Sequence, residues 1–169
     1  MRESERVSSR YKNTRNMCLY TNKEKPEVAE EDITVYKYVK KVREVSGKVR
    51  LMSPYTEKIE YTEDTLIKDP LFRPTADLTD DGRGEFRYEV SYGLHSFGSK
   101  EDAVDRAKIS RYLDMENCVI ECVIPKGARY WKGSELINDY CSDELYVKGI
   151  VEEFTCDEWF PYSMQSKSR

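Results

Sequence analysis

The chain has 169 residues, 38% hydrophobic and 36% charged, with a net charge of −4, which suits one domain with a lean core and leaves some residues outside it. Residues 1–16 carry five basic side chains (Arg2, Arg6, Arg10, Lys12, Arg15) against Glu3 and Glu5, a net +3 that leaves −7 for the rest; an acidic body argues against a nucleic-acid-binding domain, because phosphate contact needs a positive face. No run nears the roughly 18 apolar residues of a membrane span and no apolar leader opens the chain, so no membrane partner is expected.

In chain order, residues 1–16 read as a disordered basic arm and 17–158 as a single domain. The first strong strand is predicted at 33–39, where Ile33, Val35, Tyr36, Tyr38 and Val39 are β-branched or aromatic. Ser46-Gly47-Lys48 signals a turn into a strand at 49–52, and a short third strand is predicted at 58–62. Residues 69–84 hold two prolines and an Asp-Asp-Gly-Arg-Gly run, and read as a long surface loop of the functional or mobile kind. Residues 86–90 lead into Tyr92-Gly93-Leu94-His95-Ser96-Phe97.

Ser99 then opens the clearest helix, predicted over 99–114, with Asp102 completing a capping box and Ala103, Val104 and Ala107 forming a narrow apolar stripe. Cys118 to Ile124 is nearly apolar on both faces and reads as a central strand. Pro125-Lys126-Gly127 turns it into a strand at 128–132, and a last strand is predicted at 144–151. Residues 159–169 read as a flexible tail. The expected fold is α+β: one domain with a twisted, mostly antiparallel sheet of about six strands and one principal helix.

Several chemistries drop out. Cys18, Cys118, Cys122, Cys141 and Cys156 include no Cys-x-x-Cys pair, so reduced thiols and a cytoplasmic location are expected. Cys118 and Cys122 share a strand face but lie roughly 13 Å apart, too far to hold one metal ion. No phosphate-binding glycine motif occurs. Neither a metal nor a cofactor is implied by these patterns.

His95 is the only histidine. It is either a group for acid–base work near neutral pH or a turn residue that hydrogen-bonds locally. Glu121 interrupts an apolar strand. It either lines a pocket, or faces water or pairs with Arg129 across the turn. Tyr36, Tyr38, Tyr130 and Trp131 either form a stacking pocket for a base or cover one face of a sheet. Lys37 and Ser96 complete the candidate ligand-binding set of Tyr36, Lys37, Tyr38, Ser96, Glu121, Arg129 and Trp131.

Two resemblances rest on these segments. Gly93-Leu94-His95-Ser96-Phe97, Ile124-Pro125-Lys126-Gly127, Tyr130-Trp131 and Ser142-Asp143-Glu144-Leu145 together resemble a group of small uncharacterised proteins of phages and other mobile elements. That resemblance implies a phage or prophage origin and no known activity; joined to the Tyr-rich sheet face and the 69–84 loop, it gives the expectation of a non-catalytic accessory protein in the host cytosol that binds a host protein or a small nucleotide-like ligand. The strand order is also similar to the ADP-ribosyltransferase fold. There Lys37 or Tyr36 would hold the first-strand position, His95-Ser96 the second and Glu144 the catalytic carboxylate, with His95 and Glu144 as catalytic residues and NAD as cosubstrate. Residues 33–39 contain neither the Arg nor the His of that family's first strand.

Overall fold

The computed structural model describes residues 19–54, 59–80, 82–109, 116–133 and 138–154. They form twelve strands and one helix: β1 (Leu19–Thr21), β2 (Glu27–Val28), β3 (Ile33–Arg43), β4 (Val49–Met52), β5 (Leu66–Lys68), β6 (Asp77–Asp80), β7 (Phe86–Val90), β8 (Leu94–Phe97), α1 (Lys100–Ile109), β9 (Asn117–Ile124), β10 (Arg129–Lys132), β11 (Asp139–Ser142) and β12 (Glu144–Glu153). The expected α+β class and antiparallel sheet stand. The expected six strands become twelve, in two sheets, because five strands absent from that expectation (β1, β2, β5, β6, β11) have only two to four residues each, too few to show a period.

The larger sheet runs β2-β10-β11-β8-β3-β9-β12-β5, with β4 paired to β3, and the smaller runs β1-β7-β6. One residue, Asp143, joins β11 to β12, yet these strands stand four places apart in the order. A flat sheet would hold them roughly 19 Å apart, while two peptide units span at most about 7 Å. The large sheet therefore curls until its two halves meet at Asp143. The curl leaves β3 and β8 sharing the single pair Tyr36↔Phe97, while β3 and β9 pair from Ile33↔Ile124 to Lys40↔Asn117.

Alternation on those strands sets the layers. Val35 and Val39 of β3, Ile120 and Cys122 of β9, Leu94 of β8, and Leu145 and Val147 of β12 fill one buried cluster together with Tyr61. On the opposite face α1 lays Ala103 and Ala107, both fully buried, against Tyr38, Phe97 and Val119. Alanine at those positions lets the helix axis sit close to the sheet. The expected helix covered 99–114; α1 spans Lys100–Ile109 and residues 110–115 lie outside the described residues. Its start is the expected cap: the Asp102 N–H donates to Ser99 Oγ at 3.2 Å and Ser99 Oγ donates to Asp102 Oδ2 at 2.8 Å. The small sheet packs Leu19, Ala76 and Val90 against Trp131 and Cys141 of β10 and β11.

Three further expectations change. The loop expected at 69–84 contains β6, which forms a hairpin with β7. The strand expected at 58–62 is reduced to one bridge, Met52↔Glu60. The last strand extends to Glu153 by slipping register twice, after Val147 and after Ile150; Gly149 takes the first slip with φ +150, a backbone shape that a side chain opposes. The basic arm and the C-terminal tail, with Cys18 and Cys156, fall outside the described residues.

Candidate functional site

Lys37 lies on the face of β3 shared with Val35 and Val39, so its side chain enters the curled interior, and it is 5% exposed. Its Nζ donates to the backbone carbonyl of His95 at 2.6 Å and lies 5.4 Å from the Tyr61 ring centre. It ties β3 to β8 beyond the one residue pair that they share. Burial pulls its pKa from the ordinary 10.5 to about 8, against smaller upward pulls from Cys122, Cys141 and Asp69. Ser96, the neighbour of His95, is fully buried, and its Oγ has no partner.

His95 is 8% exposed and its Nε2 lies 3.7 Å from Cys141 Sγ. Burial first, and then the Lys37 charge, push its pKa down to about 3, so the imidazole is neutral near pH 7. A backbone hydrogen bond to Ser91 opposes that shift and matches the local-turn alternative. The Cys141 thiol sits under the Tyr92 carbonyl, which accepts from it at 3.4 Å. Burial raises the pKa of this thiol and raises those of Cys118 and Cys122 to about 12, so none is an activated nucleophile. Gly93 makes this packing possible, because at φ +131 a Cβ there would collide with Cys141 Sγ.

Tyr36 and Glu121 stand opposite one another on the helix-bearing face, and the Tyr36 hydroxyl donates to Glu121 Oε1 at 3.3 Å. Glu121 thus takes Tyr36 as its partner and not Arg129. Arg129 turns to Asp143 instead, donating from its backbone N–H to Oδ1 at 2.9 Å and from Nε to Oδ2 at 3.0 Å. Tyr38 and Trp131 are 2% and 1% exposed. Both are core residues, Trp131 with its ring 5.3 Å from that of Phe72. Neither offers a base an open face on which to stack. Glu144 opens β12, where its Oε1 lies 3.1 Å from Lys68 Nζ and its carbonyl accepts from Ser142 Oγ at 2.9 Å. The structure ties the Lys37 ammonium to the His95 backbone carbonyl, sets the His95 ring against Cys141, leaves Ser96 Oγ buried without a partner, and pairs Tyr36 with Glu121 on the far side. It leaves Glu144 with Lys68.

Two surface features were not read from the sequence. A cavity of about 630 Å³ is lined by Glu27, Val28, Glu30, Glu31, Ile33 and Tyr130. Its three carboxylates repel phosphate. The other is the β6–β7 hairpin. Leu78 stands opposite Tyr88, and Phe86 opposite Asp80, so period 2 places Leu78, Phe86, Tyr88 and Val90 on one face, with Asp80 beside Phe86 at its outer end. That face is buried at Val90, which is 3% exposed, and emerges at Leu78 and Phe86, which are 61% and 69% exposed. The only signal in the sequence was Phe86 and Leu78 flanking the Asp-Asp-Gly-Arg-Gly turn.

Among the described residues, no group of three or more His, Cys, Asp or Glu side chains is placed to hold a metal ion, and no helix is long and apolar enough to cross a membrane. No family model, curated protein or solved structure matches the chain.

Proposed function

We propose that this chain is a non-catalytic accessory protein of the phage or mobile-element type, and that it docks a host protein through the β6–β7 hairpin. The observation that carries the reading is the apolar face running from buried Val90 out to exposed Leu78 and Phe86. Large exposed apolar side chains held together on paired strands suit protein contact. The small-ligand version of the reading has less support. The candidate stacking residues Tyr38 and Trp131 are core residues, and the one cavity described above is lined by acids. The ADP-ribosyltransferase-like version asks for His95 and Glu144 on a common cleft. His95 is buried against Cys141, and Glu144 is ion-paired to Lys68.

The test uses the double variant Leu78→Ser/Phe86→Ser. Both residues are exposed, so folding, read by circular dichroism and melting, should match the parent. Crosslinking in host lysate with mass spectrometry should identify a partner whose purified form binds the parent and not the variant. Equal binding by the variant overturns the docking surface. Release of nicotinamide from NAD, or an ADP-ribose mass shift on a target, overturns the non-catalytic reading.

A further inference from the structure

The small sheet ends in β6, whose outer edge pairs with no strand among the described residues. A free edge presents backbone N–H and C=O groups to any extended segment that can match its side chains. The side chains of β6 are specific. Asp77, Leu78 and Asp80 are exposed, and the strand carries two acids and no base. Asp80 Oδ1 already accepts from the Gly82 N–H at 2.8 Å, which holds its charge in place at the end of the strand.

A second copy of this chain would bring to that edge the same two acids, Asp77 and Asp80, and no base to offset them. A basic strand reverses that sign.

Building on the docking role of the hairpin, we infer that the partner adds an extended basic segment antiparallel to β6. Every strand pair in the structure is antiparallel. The partner would read, from its N-terminus, basic–any–apolar–basic. The first basic residue faces Asp80 and the apolar residue lies against Leu78 on the Phe86 face. The last basic residue faces Asp77.

Capped fluorescent peptides test this directly: Thr-Arg-Thr-Val-Lys-Thr, its acidic counterpart Thr-Glu-Thr-Val-Glu-Thr, and the mixed Thr-Arg-Thr-Val-Glu-Thr. Anisotropy should show the basic peptide binding about tenfold more tightly than the acidic one, and that preference should shrink with added salt. Amide shifts on titration should concentrate at residues 77–80. Asp77→Lys should make the mixed peptide the better of the two Arg-containing ligands. Equal binding of basic and acidic peptides, shifts elsewhere, or concentration-dependent dimerisation through β6 would overturn the inference. If the peptides fail to discriminate while Leu78→Ser/Phe86→Ser still abolishes host-protein binding, the strand mode falls and the docking surface stands. If that double variant keeps its host partner, both fall.

Discussion

Lys37 carries a buried ammonium into the interior. Its ammonium has one oxygen acceptor, the His95 carbonyl, and one aromatic face, Tyr61, with no carboxylate paired to it. An unfolded chain holds the Lys37 proton up to about 10.5, while the folded chain releases it near 8. Between those values the unfolded state binds more protons, so the contribution of Lys37 to stability rises with pH, by roughly 3 kcal/mol across the window. The buried thiols oppose it. Cys118 and Cys122 ionise near 12 in the folded state and near 9 when unfolded, so above about pH 9 they lower stability as pH rises. Subtracting a Lys37→Met variant isolates the lysine. Urea unfolding at intervals from pH 7 to 10.5 should give a parent-minus-variant difference that climbs by that amount, and a flat difference would show that the amine is solvated. His95 offers a second check at this scale. With its pKa near 3, its ring resonances should stay constant from pH 5 to 8 by NMR; a midpoint near 6.5 would contradict its burial.

At the scale of elements, α1 depends on its cap and on two alanines. Ser99→Ala removes the acceptor for the Asp102 N–H and should lower stability by about 1 kcal/mol. Ala107→Leu should lower it by about 1–3 kcal/mol, since Ala107 is fully buried against the sheet and overpacking forces the helix outward. Thermal melts of both variants check this. The helix was legible because Ser99, Asp102 and the Ala103-Val104-Ala107 stripe are local signals. The long strands β3, β9 and β12 were legible for the same reason, each carrying enough residues to show its period. Strands such as β2 and β5 owe their form to a neighbour far away in sequence, as β5 does to β12 through Leu145↔Ile67. No local pattern encodes such a neighbour. The candidate site suffered more. Lys37 between Val35 and Val39 already shares a face with two valines, which was a readable sign of burial. Trp131 was not readable, because what buries it is the small sheet, brought over by the pairing of Leu19 with Val90.

The whole molecule turns on one corner. The curl of the large sheet requires β11 to pass into β12 through Asp143, and that residue is tied on all sides. Its carboxylate accepts from the Arg129 backbone N–H and Nε. Its own N–H donates to the Arg129 carbonyl at 3.1 Å, and its carbonyl accepts from the Asp69 N–H at 3.0 Å. Asp143 thereby binds the corner to β10 and to the segment leading into β6. The two partners of the ion pair are unequal. The Arg129 side chain is 46% exposed and the Asp143 side chain 17%, so removing the guanidinium returns a screened surface contact to water. Removing the carboxylate also strands a backbone donor at the corner. Arg129→Ala should therefore lower stability by less than about 1 kcal/mol and Asp143→Ala by about 2 kcal/mol. The double variant should lie close to Asp143→Ala alone, because the arginine loses its partner in either case. Chemical denaturation of the four proteins closes the cycle. Equal single effects that add would mean that the corner is held by the backbone pairing alone, and that the carboxylate is incidental to the curl.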